Sequence, residues 1–170
     1  MFFANNPTKR KKLIMWSLYA LLLFVVLLLQ TVYFSQISIA GVHFDLLPIL
    51  VSAVAVICGA EAGGIFALCA GLFWALSGGS DGGMTIVGLT VSAVLAGYLC
   101  DAVLNRRLLT AVLMALMTLL ITSFGVLAVR AYLDGVGSWG IWKCLLQAGM
   151  TLPLSPLLYL AAKVIRKAGP

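Results

Sequence analysis

A chain of 170 residues that is 63% hydrophobic and 9% charged carries too few charges to solvate a globule of its size. Lipid must be the solvent for much of its surface, and a soluble protein is excluded. The net charge of +6 does not indicate nucleic acid, because the basic residues sit in short blocks flanking apolar runs and not along one polar face. In those blocks they set topology and touch anionic headgroups.

The first apolar run, Leu13 to Phe34, is 22 residues without a charge, and a helix of about 20 residues spans the bilayer hydrocarbon. Residues 1–12 before it form a short tail in which Asn5-Asn6-Pro7 argues against early helix and Lys9, Arg10, Lys11 and Lys12 hold the chain on the cytoplasmic side. A cleaved signal has an apolar core of about 7 to 15 residues, so this longer run is an uncleaved anchor. After an external loop, Asp45 stands where an N-cap belongs and Pro48 in the first turn of a short second span ending near Cys58. Glu61 punctuates a tight cytoplasmic turn. The third span, Ala62 to Leu76, carries a stripe in which Gly59, Gly63, Ala67, Gly71 and Ala75 recur at every fourth position. Such a stripe lies on one helix face and lets another backbone approach, either that of span four or that of a partner.

Ser77 to Gly83 is an external glycine-rich loop. Span four, Met84 to Cys100, repeats the small-residue device with Gly88, Ser92 and Ala96, and with Ala93 and Gly97. An internal loop from Asp101 to Arg107 leads to span five, Leu108 to about Val129, ended by Arg130. An outer turn with Tyr132 and Trp139 precedes span six, Gly140 to about Ala162, which Pro153 and Pro156 are expected to kink. The expected architecture is all-α: a cytoplasmic basic tail (1–12), a compact bundle of six transmembrane helices (13–162), and a second cytoplasmic basic tail (163–170). The charge asymmetry agrees. Nine basic residues (Lys9 to Lys12, Arg106, Arg107, Lys163, Arg166, Lys167) fall inside and two (Arg130, Lys143) outside.

Chemistry-bearing constellations are sparse. The acidic residues Asp45, Glu61, Asp81, Asp101 and Asp134 all fall at span ends, as caps and loop solvation. His43 is the lone histidine and has no nucleophile or second ligand beside it in sequence. Cys58, Cys69, Cys100 and Cys144 form no CxxC pair and read as small apolar packing residues, so no cofactor or metal is expected. The glycine loop lacks the GK[ST] ending of a phosphate cradle. Arg130 and Lys143 near the outer face either snorkel to headgroups or pair with Asp45, Asp81 or Asp134. Gln30 is either interhelical glue or part of a polar pocket.

Leu29-Gln30-Thr31 at the end of span one, Gly41-Val42-His43-Phe44-Asp45-Leu46-Leu47 leading into span two, Gly71-Leu72 in the third span, and Leu76-Ser77-Gly78-Gly79 after it appear in an order and spacing that resembles the MreD family of rod-shape membrane proteins, over residues 10 to 165. The chain departs from that family at Phe44, where proline is common, and at Ala75, where an acidic residue is common. The resemblance implies a non-enzymatic scaffold of the bacterial cytoplasmic membrane that binds MreC and acts with MreB filaments, the RodA glycosyltransferase and a class B penicillin-binding transpeptidase in lateral peptidoglycan synthesis. The rival is the substrate-binding subunit of an energy-coupling-factor vitamin transporter, with Asp45, Trp74, Asp81, Arg130, Trp139 and Lys143 lining an outward pocket. The intramembrane polar inventory is thin for capture of a polar vitamin, which favours the scaffold.

Overall fold

A computed structural model describes residues 7–34, 38–39, 42–77, 82–102, 108–134 and 139–167. Seven α-helices carry nearly all of them: α1 (Pro7–Leu28), α2 (Leu47–Cys58), α3 (Ala60–Leu76), α4 (Gly82–Ala102), α5 (Leu108–Asp134), α6 (Trp139–Thr151) and α7 (Ser155–Lys167). A two-rung antiparallel hairpin pairs β1 (Ser38–Ile39) with β2 (Val42–His43). Four helical stretches are long and apolar enough to cross a membrane, namely Arg10–Tyr33, Gly83–Ala102, Leu109–Val129 and Gly140–Lys167, which makes this a membrane protein.

Helix boundaries depart from the sequence expectation where local rules are permissive. Helix α1 begins at Pro7, because proline at a first helical position forfeits only an N–H that would be unpaired anyway. The basic tail is therefore helical from that residue. The C-terminal continuation of α1, Leu29–Phe34, is wound as a π-helix, with the Thr31 hydroxyl donating to the Leu27 carbonyl at 2.9 Å. Helix α5 runs past Arg130 to Asp134, and α7 past Ala162 to Lys167. The expected kink in the last stretch is present as a 3-10 turn, Leu152–Leu154, where Pro153 and Pro156 supply no N–H.

Helix α2 is the axis of the molecule. It is apolar all round, a pattern that fits a helix enclosed by protein or by lipid, and here every residue from Leu47 to Ile57 is buried by the chain itself. Helices α1, α3, α4, α5 and α7 pack around it. The one polar residue within it, Ser52, donates its hydroxyl to the Ile49 carbonyl at 2.8 Å. At 12 residues it is about 18 Å long, well short of bilayer thickness. Enclosure permits that length, since neither end of α2 has to reach water.

The turn between α2 and α3 is made by Gly59 and not by Glu61, which lies exposed in the first turn of α3. Gly59 holds φ at +92°, a conformation that costs a side chain, and its N–H donates to the Ala55 carbonyl at 2.9 Å. The first four helices run antiparallel in chain order, whereas α2 and α7 run parallel, their C-terminal ends meeting at Ile57 and Arg166. Gln30 meets Asp45 where α1 ends and α2 begins, Gly97 meets Ala60 where α4 ends and α3 begins, and Gly88 meets Thr122 between α4 and α5.

Candidate functional site

Two places concentrate the residues singled out in the sequence: the small-residue faces of α3 and α4, and the polar residues where α1 meets α2. On the first, Gly63, Ala67 and Gly71 are all buried, and the stripe divides between two neighbours. A Cβ on Gly63 would lie 2.5 Å from the Ala55 Cα of α2, and one on Gly71 would lie 2.9 Å from the Ile86 Cα of α4. Gly97 completes the contact from the other side, its Cβ position 2.4 Å from the Ala60 Cα. Ala75 is only partly buried, and Gly88 faces Thr122 of α5 and not α3. Ser92 is buried with its hydroxyl donating to the Leu89 carbonyl at 3.1 Å. Of the two alternatives for the stripe, the structure takes the intramolecular one: its contacts are made inside the chain. What α3 and α4 turn outward is a different surface, with Ile65, Leu72 and Phe73 on α3 and Val87, Val91 and Leu95 on α4.

At the second place Gln30, 5% exposed, donates from Nε2 to Asp45 Oδ1 at 2.9 Å. Asp45 also accepts the backbone N–H of Leu47. The N-cap expected at Asp45 falls on Leu46, which makes no side-chain cap, and Asp45 acts from one residue earlier. Burial pushes its carboxyl above the ordinary aspartate range, while the bonds from Gln30 and Leu47 pull it back down. Lys143 is exposed, in keeping with snorkelling, while the side chain of Arg130, like Asp81 altogether, lies outside the described residues. Trp74 packs against the core. The side chains of His43, Asp134 and Trp139 also lie outside the described residues.

A third group was not foreseen. Tyr19, fully buried in α1, donates its hydroxyl to the Ala162 carbonyl of α7 at 3.1 Å and accepts from Cys58 Sγ at 3.7 Å. Its ring stands edge-on to Trp16 and Phe66. One turn further along α7, Arg166 donates to the Ile57 carbonyl and so closes the C-terminal end of α2. Asp101 Oδ2 lies 3.4 Å from the Cβ position of Gly59, beside the same turn. A lone tyrosine inside an apolar run gives no sequence signal for this. None of the four cysteines is in a disulfide; Cys100 and Cys144 are buried as expected of packing residues, whereas Cys69 is exposed. Among the described residues no three His, Cys, Asp or Glu side chains gather as a metal site would require.

Compared with protein families, curated proteins and solved structures, the chain matches none.

Proposed function

We propose that this protein is a non-enzymatic scaffold of a bacterial rod-shape complex, set in the cytoplasmic membrane with six crossings and both termini cytoplasmic, and that it holds the single-span protein MreC. The observation that carries the reading is a meeting of motifs. Leu29-Gln30-Thr31 and Phe44-Asp45-Leu46-Leu47, two of the segments on which the MreD resemblance rests, are joined by the Gln30–Asp45 hydrogen bond. A third, Gly71-Leu72, includes one of the close approaches of α3 to α4, at Gly71 and Ile86.

Six crossings are supported by the alternating direction of helices consecutive in the chain, with α6 and α7 counted as one segment. The short α2 and α3 are included because protein encloses the former and pairs extensively with the latter. Under this topology the end with Arg166 and Lys167 is cytoplasmic, and exposed Tyr33 and Trp142 lie at the opposite interface, where amphipathic aromatics are favoured. With the glycine stripe enclosed, the partner span would lie along the outward faces of α3 and α4, and MreB, RodA and the transpeptidase would be reached through the complex.

Co-purification with MreC in mild detergent tests the scaffold. A stable complex that crosslinks from a probe at Ser80 is expected; loss of MreC in mild detergent together with saturable binding of a vitamin would move the assignment to the transporter subunit. Topology is tested separately in a background lacking the four native cysteines. Single cysteines at Ser80 and Gly135 should label from outside and those at Asn5 and Ala168 should not. Outside labelling at Ala168 alone would require an odd number of crossings.

A further inference from the structure

The Gln30–Asp45 pair has more acceptors than donors. With Nε2 of Gln30 and the Leu47 N–H both directed at the carboxylate, Gln30 Oε1 is buried with no hydrogen-bond partner among the described residues. Flipping the amide would aim its oxygen at the carboxylate, so the orientation follows from the chemistry. No basic side chain among the described residues pairs with Asp45. A half-buried carboxylate beside a buried, unpaired amide oxygen calls for a group that brings both positive charge and N–H donors. We propose that this pair is a binding subsite for a primary ammonium group, which would donate to Gln30 Oε1 and to the Asp45 carboxylate together.

Other occupants fit less well. An anion is repelled by the carboxylate. A hard divalent ion takes six or more oxygens, and the pair offers two residues. An ammonium has three N–H donors on a compact charge, and it needs only these acceptors and space at one end. The backbone here is also unusual: Gln30 lies in the π-wound segment Leu29–Phe34, and π-winding within helices is frequent at functional sites. The pair lies at the end of the first membrane-crossing stretch, Arg10–Tyr33, where Val32 and Tyr33 are exposed at headgroup level. The ammonium has two sources there, a phosphatidylethanolamine headgroup or a free alkylamine. The inference does not depend on the scaffold assignment, and its test uses no partner protein.

The full chain in detergent is heated with increasing ethylammonium chloride, and with sodium or tetramethylammonium chloride at equal ionic strength. A saturable rise in Tm with ethylammonium alone is expected, since tetramethylammonium has the charge without the donors. In a second arm, lipid is added back: stabilisation by phosphatidylethanolamine over phosphatidylcholine assigns the headgroup as source, and a response to ethylammonium alone assigns a free amine. Asp45→Asn keeps the shape and the bond to Leu47, so without amine its Tm should equal or exceed that of the parent, with ethylammonium affinity at least about tenfold lower. Gln30→Met, which removes the unpaired oxygen and spares the carboxylate, should weaken the response without abolishing it. Equal responses to all three salts, or no response to ethylammonium and phosphatidylethanolamine alike, would overturn the proposal. A drop in basal Tm for Asp45→Asn would also overturn it, because the carboxylate would then already have a cation from the chain itself.

Discussion

The two ends of α2 solve the same problem in opposite ways. At its C-terminal end the carbonyl of Ala55 receives the Gly59 N–H, the carbonyl of Ile57 receives Arg166, and Tyr19 ties α1 to α7 across the same level. Donors from three different segments meet backbone carbonyls at this level, where the bilayer supplies no donor of its own. At the N-terminal end Asp45 and Gln30 satisfy each other only in part, and an amide oxygen is left over. A closed end fixes the helices in place. The end with spare acceptors is the one equipped to receive something.

The largest effect should come from breaking the close-packed side of this contrast. Gly97→Leu and Gly63→Leu each place side-chain atoms on backbone of a neighbouring helix, which cannot retreat as a side-chain tip can. Each should cost about 3 kcal/mol or more, seen as a fall in Tm or as aggregation on size exclusion in detergent. Gly71→Leu, where the nearest atom is 2.9 Å away, should be somewhat milder. Gly125→Ala and Gly149→Ala meet no atom within 4 Å and should be neutral or raise stability by up to about 1 kcal/mol through helix propensity. Equal loss at all five positions would mean that backbone proximity is not what the glycines provide.

A smaller effect is expected from opening the closed end without steric overlap. Tyr19→Phe keeps the ring packing against Trp16 and Phe66 and removes only the hydroxyl, so it should cost about 0.5–1.5 kcal/mol. Arg166→Met should cost about 1 kcal/mol by removing the guanidinium bond to the Ile57 carbonyl. The double variant tests whether the end behaves as one unit: a combined loss differing from the sum by more than about 0.5 kcal/mol shows coupling, and strict additivity shows two independent bonds.

The apolar runs were legible because lipid leaves a strong compositional mark, and the small-residue periodicity was legible because close packing in lipid needs it. Its partners were not, since the spacing of Gly63 and Gly71 is the same whether they face one helix or, as here, both α2 and α4. Helices α1 and α5 extend beyond their apolar runs for a related reason: Pro7 and Arg130 are both tolerated near the ends of a helix. Asp45 could be seen as a helix-start residue, but its bond to Gln30, 15 positions away, depends on the relative register of two helices. Tyr19 had no visible mark at all, because its role is set by the backbone oxygen of Ala162, and every residue carries one of those.

The smallest effect, and the one that separates the two ends most cleanly, is in pH. Burial raises the Asp45 carboxyl above its ordinary value of 3.8, so between that value and the raised one the folded chain holds a proton that the unfolded chain has released. The contribution is therefore fully present below the ordinary value and is lost as pH rises through the folded value. Parent Tm should fall across that window relative to Asp45→Asn, whose amide does not titrate, and the difference between the two curves isolates this group from the other carboxylates. Saturating ethylammonium should reverse the sign. A cation on the carboxylate lowers its affinity for the proton, so the bound form should gain stability with rising pH where the free form loses it. Tyr19→Phe, at the closed end, should leave this difference curve unchanged. A curve that moves with Tyr19→Phe would tie the two ends together and remove the contrast.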